Sequence, residues 1–100
     1  MLKMIRVLQL REDIPDYCYK VFESYERVLI HFGKVDIKEY KCVYQGFINK
    51  EMSLNDVYGM CNHARPYGYS GHSLSVSDIV FMDDKYFYCN DIGWRELECS

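Results

Sequence analysis

The chain has 100 residues, of which 49% are hydrophobic and 27% are charged. This is the size and composition of one globular domain over residues 1–100, which excludes a disordered or collagen-like chain. A formal net charge of −3 also disfavours a surface built to neutralise phosphates.

Cysteine content and hydropathy predict the compartment. The five cysteines are an odd number without a close pair, which favours reduced thiols over a disulfide framework. Arg6 interrupts the apolar run at the N-terminus, and no run is long enough to span a bilayer. We therefore expect no signal peptide, no membrane association and a cytoplasmic location.

The first half of the chain predicts a strand, a helix and a second strand. Residues 2–10 carry apolar side chains on both faces and predict a strand. From Cys18 to Phe32 the apolar residues recur at helical spacing, and Gly33 follows where a C-terminal cap belongs. Residues 40–45 alternate with a period of two, and Gly46 ends this second strand.

The second half predicts one more helix and a run of strands. Ser53 and Asp56 form a capping box for a helix that ends at Asn62, and an aperiodic loop follows. Residues 79–82 and 85–90 predict a β-hairpin, and residues 91–97 predict a turn and a short last strand. The fold class is α+β, with a small mixed or antiparallel sheet and two helices packed on one side.

Three segments carry a resemblance to a known family. Residues 40–46 form a strand that ends in Gly46, residues 71–80 form a Ser-rich run, and residues 85–94 form a closing hairpin that ends in Gly93-Trp94. Together these segments resemble the YodL-like domain, which is carried by proteins of mobile genetic elements in Gram-positive bacteria and their phages. The chain departs from the family at Asp83-Asp84, where such domains usually have Asp-Gly, and in its tyrosine-rich loop.

The resemblance implies a biological setting but no reaction. It implies a small cytoplasmic accessory protein of conjugative or phage origin, a setting in which counter-defence proteins, including anti-CRISPR inhibitors, are common. It implies no catalytic residue.

The Ser-rich run offers the side chains of a hydrolase. His72 lies among serines and precedes Asp78, so this run contains the residue types of a Ser-His-Asp triad. Neighbours in sequence seldom reach triad geometry, whereas serines before a strand commonly bond to the backbone. We therefore interpret the run as a structural motif rather than a catalytic site; its members are Gly71, Ser73, Ser75, Ser77 and Asp78.

A zinc site is a second chemical possibility. Cys61, His63, His72 and Cys89 are suitable zinc ligands, but no Cys-x-x-Cys pair is present. We expect neither a metal nor a cofactor. A small hydrolase or zinc enzyme centred on His72 remains the second alternative function.

Aromatic content predicts a binding surface. Ten tyrosines are more than one small core holds, and Tyr and Arg dominate the energies of protein interfaces. The leading hypothesis is a non-enzymatic protein that binds a host protein or ribonucleoprotein complex, and the first alternative is a nucleic-acid-binding module that uses the same residues. The predicted binding residues are Arg65, Tyr67, Tyr69 and His72.

Overall fold

The computed structural model describes residues 1–98, so Cys99 lies outside the described residues. Within this range no helix is long and apolar enough to cross a membrane. The elements in chain order are β1 (Leu2–Leu10), α1 (Tyr17–Lys20), α2 (Tyr25–Phe32), a 3-10 turn (Ile37–Glu39), β2 (Tyr40–Asn49), α3 (Leu54–His63), β3 (Ile79–Met82), β4 (Lys85–Cys89) and β5 (Trp94–Leu97).

The five strands form one antiparallel sheet in the order β2-β1-β3-β4-β5. The predicted α+β class, the C-terminal hairpin and the short last strand are confirmed. Asp83 and Asp84 make the hairpin turn with φ angles of 55° and 62°, the left-handed conformation that two-residue hairpins require.

The two longer helices lie on opposite faces of the sheet, unlike the predicted arrangement on one side. On one face, Val57 and Cys61 of α3 pack with Val80 of β3. On the other face, Tyr25 of α2 packs with Ile79 and its neighbours. Because adjacent strand residues point to opposite faces, the continuous apolar run of β3 serves both layers.

A β-bulge in β2 changes the register that strict alternation predicts. Val7 pairs with Tyr44 and Leu8 with Cys42, which leaves Val43 as the extra residue. Tyr40 therefore packs on the α2 side while Tyr44 packs on the α3 side. The strand also continues through Gly46, the predicted end, because its pairing with β1 runs on to Leu2 and Asn49. The Tyr44 ring packs over this glycine.

The predicted helix from Cys18 to Phe32 is wrong in its middle. It is divided into α1 and α2, and Phe22 in the break has a positive φ of 62°. Tyr88 Oη donates to Glu23 O over 2.6 Å, and Tyr25 N–H donates to Asn90 Oδ1 over 3.0 Å. These bonds from β4 and the residue after it satisfy backbone groups that a continuous helix would pair internally. Gly33 does end α2, as predicted.

Candidate functional site

Gln9 lies at the centre of the candidate site. Its side chain is 1% exposed, in the buried half of β1. Gln9 Nε2 donates to His72 O over 2.8 Å and to Asp78 Oδ2 over 3.1 Å, while its Oε1 accepts from His72 N–H over 3.2 Å. One glutamine thus satisfies both a donor and an acceptor of the loop backbone, which fixes the loop against the sheet.

Gly71 allows this close approach. A Cβ atom at this position would overlap the carboxamide oxygen of Gln9 and would crowd Val43 Cγ1. The neighbouring Ser70 N–H donates to Val43 O over 2.9 Å. The loop therefore also caps the carbonyl of the bulged residue of β2, so the bulge and the glycine together position the loop.

Asp78 is a buried carboxyl group beside Gln9. Its side chain is 1% exposed, and Ser75 N–H donates to its Oδ2 over 2.8 Å. Burial raises the pKa of Asp78 from 3.8 to about 7, although the bonds from Ser75 and Gln9 act in the opposite direction. Within residues 1–98, Asp78 Oδ1 has no hydrogen-bond partner. The hydrogen bonds to this carboxyl group therefore only partly offset the cost of its burial.

His72 and Tyr69 complete the network at its solvent side. His72 Nδ1–H donates to Ser73 O over 2.7 Å and lies 3.9 Å from Asp78 Oδ2. Tyr69 Oη donates to His72 O over 2.8 Å, and burial raises the pKa of Tyr69. The side chain of His72 is 39% exposed, and its ring makes an edge-on contact with Phe22 at a centroid distance of 5.6 Å.

The serines form hydrogen bonds with the backbone and with Arg65. Ser75 Oγ donates to Ser73 O over 2.8 Å, and Ser73 Oγ accepts from Arg65 Nη2 over 3.0 Å. Ser77 is buried with a positive φ of 84°, and its Oγ accepts from Phe22 N–H over 3.0 Å. The serine hydroxyls therefore take part in hydrogen bonds that stabilise the turn before β3.

The predicted binding residues come together but are not equivalent. Arg65 Nη1 donates to Gly71 O over 3.3 Å, and its guanidinium lies 5.7 Å from the Tyr69 ring centroid. Tyr69 is half-buried and stacks on Tyr44. Tyr67, in contrast, is fully exposed at the loop tip. Arg65 and Tyr69 therefore support the loop, while Tyr67 is its most accessible ring.

The considered zinc ligands are dispersed over the fold. Cys61 and Cys89 are buried, and burial raises the pKa of these thiols to about 11 and about 12. His63 is exposed at the end of α3. Among residues 1–98, no group of three or more His, Cys, Asp or Glu side chains could hold a metal ion.

Gln9 is the site residue that sequence reasoning missed. The signal was present, because Gln9 is the one polar residue in the buried run of Val7, Leu8 and Leu10. A polar side chain inside a buried strand needs partners. Its partners lie more than sixty positions later in the chain.

The comparisons with known proteins give one result. A family model described as YodL-like domain matches residues 4–99. Neither the curated proteins nor the solved structures include a match.

Proposed function

Because the chain belongs to the YodL-like domain family, we propose that it is a small, non-enzymatic accessory protein of mobile-element or phage origin. It acts in the cytoplasm of a bacterial host by binding and modulating a host protein or ribonucleoprotein complex. A counter-defence role of the anti-CRISPR kind, in which the chain inhibits a host defence complex, fits this setting. The observation that carries the proposal is a fully exposed Tyr67 on a loop with a buried polar anchor.

The hydrogen bonds that anchor the loop support binding because they reduce the conformational entropy that the loop loses when a partner docks. Gln9 of β1 bonds to the backbone of His72, and Arg65, just after α3, donates to Gly71 O and Ser73 Oγ. A loop that is already ordered loses less conformational freedom when a partner docks. The loop therefore presents a fixed surface.

The exposed residues support a protein as the partner. Tyrosine offers a large contact area at low entropic cost, and Tyr67 makes this area fully available. Net charge of −3 opposes the long-range attraction to phosphates on which nucleic-acid binding depends. A protein surface is therefore the favoured target.

The hydrogen bonds of the serines and of His72 support a non-enzymatic role. Ser73 Oγ accepts from Arg65, Ser75 Oγ donates to Ser73 O, and Ser77 Oγ accepts from Phe22 N–H. His72 Nδ1–H donates to Ser73 O rather than facing a serine hydroxyl. A nucleophilic serine instead needs a hydrogen bond to its general base. The arrangement stabilises the loop rather than activating a hydroxyl.

Affinity capture from a Gram-positive host lysate tests the proposal. The tagged chain should retain a defined complex, and Tyr67→Ala should weaken its capture by about tenfold or more, as expected for an interface hot spot. Tyr19→Ala is the matched control because Tyr19 is also a largely exposed tyrosine but lies in α1.

Three outcomes would contradict the proposal. The first is that no complex is retained. The second is that Tyr67→Ala and Tyr19→Ala chains retain the complex equally. The third is that capture disappears after nuclease treatment and falls steeply with salt, which would indicate the nucleic-acid-binding alternative.

A further inference from the structure

A second surface lies on the side of the sheet opposite to α3 and to the loop. Tyr25 of α2 packs over the half of this face that carries Leu8, Ile79 and Tyr88. The other half is partly open to solvent, and we call it the open face. It consists of Met4, Arg6, Gln45, Phe47, Phe81 and Tyr86.

The strand register places these side chains in two adjacent rows. Arg6 pairs with Gln45 on one side and with Phe81 on the other, and Phe81 pairs with Tyr86. Met4 pairs with Phe47 in the next row, two residues before Arg6 on β1 and two residues after Gln45 on β2. Paired residues share a face of the sheet, so Phe81 lies directly beside Arg6 and Phe47 lies diagonally across from it.

The open face exposes apolar area. The Phe47 side chain is 68% exposed on an edge strand. Phe81 and Tyr86 are half-buried, with ring centroids 4.9 Å apart. Contiguous exposed apolar area of this kind marks interaction sites on soluble domains.

Arg6 is a positioned cation without a carboxylate. Its guanidinium lies 5.6 Å from the Phe81 ring centroid, and its Nε–H donates to Gln45 Oε1 over 3.3 Å. Through the described part of the chain, no carboxylate lies within salt-bridge distance of Arg6. In contrast Arg11, Arg27 and Arg95 each have an acidic partner.

The two lysines beside this region lie on the opposite face of the sheet and have acidic partners. Lys3 pairs with Asp83 over 3.4 Å, and Lys85 pairs with Glu96 over 3.6 Å. The open face therefore presents one uncompensated positive charge between aromatic rings. Its complement is one negative charge between apolar groups.

We propose that the open face docks an extended segment of a protein partner that places one carboxylate on Arg6 and apolar side chains on Phe47 and Phe81. Arginine binds carboxylates with fork geometry, so two parallel hydrogen bonds fix the segment. A nucleic acid is disfavoured because a single cation on a chain with net charge −3 offers few phosphate contacts. This surface is independent of the loop at residues 65–72.

Titration of the isotopically labelled chain with a capped peptide tests the inference. The peptide carries a central aspartate with leucine and phenylalanine two positions away on either side, so all three share one face when extended. Amide signals of Arg6, Phe81 and their strand neighbours should shift. The peptide with asparagine in place of aspartate should bind about tenfold more weakly, as expected when a charged hydrogen bond is lost.

Two variants and one control assign the contacts. Arg6→Gln should lose the preference for aspartate over asparagine, and Phe47→Ser should weaken both peptides. Arg95→Gln is the control because Arg95 also lies over an aromatic ring, 4.7 Å from the Tyr25 centroid, but has Glu26 as its partner. Phe47 is mostly exposed, so its variant keeps the core intact.

Several results would overturn the inference. One is the absence of shifts up to the solubility limit of the peptide, and another is shifts confined to residues 65–72. An undiminished preference for aspartate in Arg6→Gln would do the same. Shifts of the open face with oligothymidylate but not with the peptide would assign it to nucleic acid instead.

Discussion

The backbone N–H of Phe22 donates a hydrogen bond to Ser77 Oγ over 3.0 Å, and both residues have positive φ angles. A positive φ is energetically unfavourable for non-glycine residues, so surrounding contacts must stabilise this conformation at both Phe22 and Ser77. At Ser77, Asp78 N–H donates to Ser75 O over 3.0 Å to close the turn before β3. The bond thus couples the helix break to the turn that positions Asp78.

Substitutions at Ser77 separate the hydrogen bond from the backbone conformation. Ser77→Ala removes the acceptor of Phe22 N–H and keeps the cost of positive φ, so the free energy of unfolding should fall by about 1–2 kcal/mol. Ser77→Gly also removes the acceptor but relieves a cost of about 1 kcal/mol, so its loss should be smaller. Urea denaturation of both variants measures the difference. A glycine variant less stable than the alanine variant would contradict this account.

Asp78 should make stability depend on pH. Its pKa is raised from 3.8 in the unfolded chain to about 7 in the folded protein, so the folded state binds the proton more tightly. The contribution of Asp78 to the free energy of unfolding is fully present below pH 4. It is lost as the pH rises toward 7, by about 4 kcal/mol at most. The free energy of unfolding between pH 4 and pH 8 measures this loss.

The Asp78→Asn variant isolates the Asp78 contribution. It keeps a carbonyl acceptor for Ser75 N–H and Gln9 Nε2 and removes the titrating charge. We expect a flatter pH profile and a more stable protein at pH 8. Asp13→Asn, at an exposed position, is the control that should leave the profile unchanged. If the free energy of unfolding of Asp78→Asn still fell between pH 4 and pH 7, a group other than Asp78 would cause the pH dependence.

Alanine at two glycines should change stability in opposite directions. Gly71→Ala places a Cβ against Gln9 and Val43, so overpacking should cost about 1–3 kcal/mol. Gly59→Ala is the matched control in α3, where a Cβ meets nothing within 4 Å. There alanine should raise the free energy of unfolding by about 0.5–1 kcal/mol because it is the better helix former. Thermal denaturation measures the stability of both variants. A Gly71→Ala variant as stable as the unchanged protein would mean that Gln9 moves freely to accommodate the added Cβ.

The hairpin turn offers a stabilising change. Asp84 has a φ of 62° at the second turn position, where glycine is the preferred residue. Asp84→Gly should therefore stabilise the fold by about 1 kcal/mol, while Asp83 keeps its ion pair with Lys3. Denaturant midpoints measure the gain. Asp84→Ala keeps the unfavourable conformation and is the control; equal stability of the two variants would show that φ is not the cause.

Local patterns in the sequence were sufficient for most of the secondary structure. The capping box of Ser53 and Asp56 begins α3, and Gly33 ends α2, because these signals act within one helical turn. The hairpin around Asp83 and Asp84 is likewise a local feature. The family was also readable, since it depends on residue order along the chain.

By itself the sequence determined the class, the order of elements and the loop that carries Tyr67. Only the tertiary structure decided the break at Phe22, the opposite placement of α2 and α3, and the role of Gln9. The reason is physical: each of these features depends on hydrogen bonds or packing between residues far apart in the chain. Their energies compete with local preferences, and the one local sign among them, a polar Gln9 in the apolar run of β1, does not identify its partners.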